Sequence, residues 1–91
     1  MVTLGQTVMT AGVAEYCNSN LEASFQMLEC LQRHRRGDWG DVCAEDKQAN
    51  DRALKNGDER ILSAYEICGT KIWIITEWDR SVTTVLFPSE Y

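Results

Sequence analysis

The chain has no stretch able to cross a bilayer as a helix. Its longest strongly apolar run is Ile72-Trp73-Ile74-Ile75, against roughly 20 residues for a membrane-spanning helix. It has no close C-x-x-C pair. Cys17, Cys30, Cys43 and Cys68 stand far apart, which removes the zinc-knuckle and dithiol redox motifs. It has neither a phosphate-cradling glycine loop nor H-E-x-x-H, and no serine or cysteine sits in a recognised nucleophile motif. Positive charge is scarce. Nine Lys and Arg against fourteen Asp and Glu leave a formal net charge of −5, and an acidic chain repels a phosphate backbone. Nucleic-acid binding is therefore disfavoured, with Arg33, Arg35, Arg36 and Lys71 as the only candidates for it. The opening MVTLGQTVMT lacks a basic start and a long apolar run, so a secretory signal is not expected and a cytoplasmic location is. Free thiols fit that compartment, with Cys17 and Cys30 on core faces of helices. Two disulfides in a secreted domain are the alternative.

What remains describes one small globular domain spanning 1–91. A hydrophobic fraction of 44 %, with three Trp, three Tyr and two Phe, is enough apolar surface to offset chain entropy. Thr3 to Met9 reads as a short strand or an extended lead-in. Thr10 fits the N-cap of a helix from about Ala11 to Cys17. Ser19 and Glu22 form an S-x-x-E capping box for the next helix. There Leu21, Phe25, Leu28 and Leu31 recur at i, i+4, i+7 and i+10, widened by Met27 and Cys30, and predict the buried face of a helix running to about His34. Arg33, His34, Arg35 and Arg36 crowd its last turn, where cations suit the helix dipole, and Gly37 ends it. After a turn through Trp39 and Gly40, Val42 to Asn56 reads as a polar helix with a thin apolar face of Val42, Ala49, Ala53 and Leu54. Gly57 stands ready to end it. RILSAYEIC, KIWIIT and SVTTVLF are rich in β-branched and aromatic residues. They predict a three-stranded antiparallel meander, turning first at Gly69-Thr70 with type II′ geometry and then at Glu77 to Arg80. Pro88 stops the third strand. The expected class is α+β, with two or three N-terminal helices packed on that meander and a fourth short N-terminal strand as an option.

Three clusters carry polar chemistry. His34 with Asp38, Trp39 and Asp41 offers a histidine beside carboxylates, although a lone His at a helix end is more often a surface group favoured by the dipole. The turn Thr76, Glu77, Asp79, Arg80 and Ser81 gathers carboxylates and a guanidinium at one end of the sheet, where Arg80 can pair with Glu77 or Asp79. Glu45, Asp46, Asn50 and Asp51 have the oxygen chemistry of a hard-cation site, but their order is not an EF-hand and a solvated helix face explains them. No metal or cofactor is expected.

GDWGDVCAEDKQANDRAL followed by RILSAYEICGTKIWIITEWDRSVTTVLFPSEY resembles a group of small bacterial, plasmid and phage proteins. These end in a pattern like G-x-K-x-W-I-I-T-E-x-D-R-S-x-T-T-x-L-x-P-x-E-Y and often carry the label "type I restriction endonuclease subunit M". Gly69, Lys71, Trp73, Thr76, Glu77, Asp79, Arg80, Thr83, Thr84, Pro88, Glu90 and Tyr91 fall in the pattern. Trp78 stands where that group usually has a small residue. The chain has neither a methyltransferase's glycine-rich cofactor loop nor its Asn/Asp-Pro-Pro-Tyr/Phe motif. What the resemblance implies is therefore a mobile-element setting, in which small acidic proteins bind a host or phage protein, defence machinery included.

The expected function is a non-catalytic protein-binding module. Its candidate contacts are Trp39, Asp38, Trp78, Glu77, Asp79 and Arg80, with the two tryptophans as exposed anchors. Homodimer formation is a further expectation, through an exposed strand Ser81 to Phe87. The alternative is a small hydrolase or nucleotide-processing enzyme. It needs His34, Asp38, Glu77, Asp79 and Arg80 in one cleft.

Overall fold

The computed structural model describes all 91 residues. Three helices and a four-stranded sheet make an α+β domain, in the order β1 (Gln6–Met9), α1 (Ala11–Ser19), α2 (Leu21–Arg36), α3 (Ala44–Asn56), β2 (Ile61–Ile67), β3 (Thr70–Thr76) and β4 (Val82–Leu86), closed by a 3₁₀ turn at Pro88–Glu90. None of the helices is long and apolar enough to cross a membrane.

The three C-terminal strands form the expected antiparallel meander, with Ile61 opposite Thr76 and Trp73 opposite Leu86. The first turn differs from the expected one. Cys68 (φ 48) and Gly69 (φ 78) are its two central residues, and positive φ at both is the demand of a type I′ hairpin. The sheet as a whole is mixed. β1 is real but lies parallel to β4, giving the order β1-β4-β3-β2. Strand β4 is therefore interior, and the Ser81–Phe87 edge expected to support a dimer does not exist. The free edge belongs to β1.

Helix ends follow local chemistry. Thr10 caps α1, its hydroxyl accepting from Val13 N–H at 3.3 Å. Asn20 replaces the expected Ser19–Glu22 capping box. It is the only residue between α1 and α2, and its side chain accepts from Ala23 N–H at 3.2 Å. Ser19 instead belongs to α1 and donates back to the Glu15 carbonyl at 3.0 Å.

The largest departure concerns which face of α2 is buried. Leu21, Phe25 and Leu28 are 71 %, 61 % and 53 % exposed. The residues packed on the sheet are Met27 and Cys30, as expected, together with Ala23 and His34, a stripe at i, i+4, i+7 and i+11, and Leu31 packs partly buried against the same core. Small and slender side chains let the helix sit close to the strands, where Ile67, Ile72, Ile74 and Val85 complete the core with Val13 and Cys17 of α1. A smaller cluster of Val2, Trp39, Ala53 and Ile61 holds α3 and the N-terminal segment to the sheet's other end. Cys17 and Cys30 are buried thiols, as expected; Cys43 and Cys68 are exposed, and all four are free.

Candidate functional site

His34 is the only histidine, and the structure places it where no surface reading would. It is fully buried, at the core end of the α2 stripe. Its Nδ1 meets the Ser63 hydroxyl, and its Nε2 lies 2.8 Å from Thr76 Oγ1. Thr76 Oγ1 is 2.7 Å from Thr83 Oγ1, and Thr83 donates to the Leu4 carbonyl at 2.7 Å. That carbonyl fixes every proton in the chain, because it can only accept. Thr83 spends its one hydroxyl proton there, so it accepts from Thr76. Thr76 then accepts from His34 Nε2–H, and Nδ1 accepts from Ser63. One neutral tautomer results, and a single polar thread ties α2 to all three meander strands and to the segment leading into β1. Burial pushes the His34 pKa down from 6.5 to about 4. The imidazole is neutral and has no nitrogen left for a substrate.

The Trp39 turn is also internal. Trp39 is 4 % exposed, donates its indole N–H to Asp51 at 2.9 Å, and meets the His34 ring edge to face. It anchors the loop and is not available as a surface contact, which corrects its place among the exposed aromatics. Asp38 is exposed but engaged. Its carboxylate takes Arg33 Nε at 2.8 Å, and this guanidinium holds its pKa below the usual range. The Asp38 carbonyl accepts from Tyr65 Oη at 2.5 Å, and burial raises the Tyr65 phenol to about 12.

At the second turn, Arg80 forms no ion pair with Glu77 or Asp79. It sits in left-handed backbone (φ 62) and points its guanidinium inward. Nη1 reaches the carbonyls of Glu59, Glu77 and Trp78 at 2.6, 3.1 and 3.2 Å, and Nη2 reaches Ala53 at 2.9 Å. Arg80 thus caps the C-terminal end of α3 and rivets the β3–β4 turn to the loop before β2. Asp79 accepts from the Ser81 N–H and hydroxyl at 3.0 and 2.6 Å, which holds its pKa down. Of the two expected tryptophan anchors, Trp78 alone is presented to solvent, at 63 % exposure.

Arg80→Met is expected to lose about 2–3 kcal/mol of stability, since charge-assisted hydrogen bonds contribute roughly 1.5–3 kcal/mol each and several go at once. Arg80→Lys should recover little of it, because an ammonium cannot span the carbonyls as the planar fork does. Urea midpoints of the two variants check this.

Of the five residues that an enzymatic cleft requires, the side chains of His34, Asp38, Asp79 and Arg80 are thus committed to different partners, and Glu77 is engaged through its backbone, to Val82 and Arg80. None of the three surface depressions is lined by His34, Asp38, Glu77, Asp79 or Arg80. Half of the oxygen cluster on α3 is likewise in use: the Asn50 amide brackets both backbone groups of Leu62, and Asp51 receives Trp39.

What the surface does offer is apolar. The outward face of α2 carries Leu21, Phe25 and Leu28 in one line. Glu22 and Glu29 run along one side of it, each one residue past Leu21 and Leu28, and Arg35 and Arg36 close its C-terminal end. Beside it, Leu28, Leu31, Gln32 and Arg35 form one wall of a groove of about 470 Å³ whose other wall is Met1 to Gly5 and Thr7. The spacing of Leu21, Phe25, Leu28 and Leu31 predicts a core face, but of these only Leu31 packs against the core. Ala23 and His34, in line with the expected core residues Met27 and Cys30, were the available signal that the buried face lies on that side of α2.

No family model matches the chain, and neither a curated protein nor a solved structure does.

Proposed function

We propose that this chain is a non-catalytic protein-binding module and that the outer face of α2 is its contact surface. The observation that carries the reading is the exposure of Leu21, Phe25 and Leu28 on one helix face, opposite the face packed on the sheet. Contiguous exposed apolar surface on a soluble domain marks interaction sites, and side chains at i, i+4 and i+7 are the anchor spacing of helix recognition. The partner that fits is a protein with an apolar patch, basic beside Glu22 and Glu29 and acidic beside Arg35 and Arg36. Trp78 is a secondary contact at most, since it stands alone on its turn. The likeness to small plasmid and phage proteins supports a mobile-element setting, with a host protein, defence machinery included, as the partner class.

The test is affinity capture from bacterial lysate with matched variants. Phe25→Ser with Leu28→Ser removes exposed apolar surface only, so the fold should persist and the captured partner should be lost by 100-fold or more in affinity, on the order of the 2–4 kcal/mol of hot-spot truncations. Trp78→Ala should retain it. A partner kept by the helix variant and lost with Trp78→Ala would move the site to the turn.

A further inference from the structure

The sheet treats its two edges differently. At β2 the outward backbone groups of Leu62 and Ala64 are met one by one. Asn50 takes the Leu62 carbonyl at 2.7 Å and the Leu62 N–H at 3.2 Å. The Trp39 carbonyl takes Ala64 N–H at 3.2 Å, and Asp41 N–H reaches the Ala64 carbonyl at 2.8 Å. At β1 nothing comparable exists. Gln6 and Thr10 donate inward, to the Ser81 and Val85 carbonyls, each at 3.0 Å, so strand alternation turns the N–H and C=O of Thr7 and Met9 outward. Natural edges are guarded by charge, proline, a bulge or a cover. Gln6-Thr7-Val8-Met9 has no charge and no proline, and all four residues are exposed.

Charge selects the occupant. From Met1 to Ala14 there is no Asp, Glu, Lys or Arg, the first charged side chain being Glu15, in a chain whose net charge is −5. The strand itself thus sets no like charges against each other along an edge of an acidic chain; the carboxylate beside it is Glu90, which accepts from Thr10 Oγ1 at 2.7 Å.

We propose that β1 pairs antiparallel with β1 of a second copy about a two-fold axis at Val8, giving a continuous eight-stranded sheet. In this register Thr7 stands opposite Met9 of the other copy and exchanges two hydrogen bonds with it. The symmetric pair does the same, so every outward backbone group of Thr7 and Met9 is satisfied. Val8 packs against its own counterpart on the sheet face away from the helices. Thr7 shares the helix-side face with its register partner Thr83 and lines the groove with Leu4, Leu28 and Leu31. Met9 of the second copy, opposite Thr7 and on the same face, therefore enters the mouth of that groove. Methionine suits an irregular apolar gap. The pairing leaves Leu21 and Phe25 of both copies free, so the dimer presents two α2 faces. It does not depend on what those faces bind.

The test is sedimentation velocity on the full chain from about 5 to about 500 µM, joined to amide exchange by NMR. An edge this short lies below the standard interface of about 1,600 Å², so a reversible dimer with Kd of roughly 10–100 µM is expected. Thr7 and Met9 amides should gain protection as concentration rises. Val8→Lys sets like charges on the axis of the two-fold at a surface position and should leave only monomer. Met9→Glu should do the same, and circular dichroism of both variants should match the parent. Phe25→Ser should still dimerise. A monomer at the highest concentration, a dimer whose Thr7 and Met9 amides stay unprotected, or a dimer abolished by Phe25→Ser but not by Val8→Lys overturns the proposal. The first two outcomes leave the α2 contact surface standing; loss of captured partner in the α2 variant bears on that surface alone.

Discussion

Acidification from pH 6.5 to pH 4 is expected to destabilise the domain by about 3 kcal/mol through His34 alone. The pKa of His34 is about 4 in the folded protein, against 6.5 for an exposed histidine. Above 6.5 the group is neutral in both states and folding releases no proton. Between 6.5 and 4 the unfolded chain holds a proton that the folded one excludes, so stability falls by up to about 1.4 kcal/mol per pH unit. Below 4 both states are charged and this group costs nothing more. Because Ser63 donates to Nδ1, a second ring proton both charges a buried imidazole and reverses that hydrogen bond. A domain of this size has roughly 5–10 kcal/mol in total, which makes the loss a large fraction. Urea denaturation at a series of pH values measures it. In His34→Gln the dependence between 6.5 and 4 should flatten, leaving only that of the carboxylates. An imidazole that titrates near 6.5 by NMR would show that the thread does not shield it.

Gly40→Ala is expected to lose about 3–4 kcal/mol, roughly 12–30 °C in Tm for a domain this small. Gly40 has φ +71, and a methyl placed there overlaps the Ala64 carbonyl oxygen and lies 2.7 Å from the Tyr65 ring. Relief requires the Trp39–Asp41 segment to leave the β2 edge, giving up both Ala64 backbone bonds and loosening Trp39. Gly57 supplies the control. It has the same φ of +71 but open space around its missing methyl, so Gly57→Ala should cost only the left-handed backbone term of about 1 kcal/mol. The difference between the two variants, read from thermal or urea midpoints, isolates the contact that seals this edge. Equal losses would mean that the edge is held by something else.

The sequence was most legible where the physics is local. Ile61 to Leu86 announced its strands through β-branched and aromatic runs. Thr10, Gly37 and Gly57 marked helix limits to within a residue or two, because caps depend on neighbours three or four positions away. The α2 face was misread for an equally physical reason. Leu21, Phe25 and Leu28 have the larger transfer free energies, but the space between α2 and the sheet admits Ala23, Met27, Cys30 and a hydrogen-bonded His34. Periodicity reports that a helix has apolar faces; it does not weigh one face against the shape of a sheet folded later.

Among the candidate site residues only Trp78 kept both its exposure and its freedom. Trp39, Asp38 and Arg80 found partners through the fold: Asp51 for the indole, Tyr65 for the Asp38 carbonyl, and the Ala53 and Glu59 carbonyls for the guanidinium. Residue type showed that they were polar and in turns, and could not show which way they pointed. The sequence by itself determined the α+β class, the meander, the acidic surface and the uncharged opening segment, all of which follow from composition and short-range pattern. Only the tertiary structure decided that β1 runs parallel to β4, that His34 is internal, and that α2 turns Leu21, Phe25 and Leu28 outward. Each of these rests on contacts between residues dozens of positions apart, such as Ser63 with His34 and Thr83 with Leu4, and pairing across such distances is set by packing geometry that no local pattern encodes.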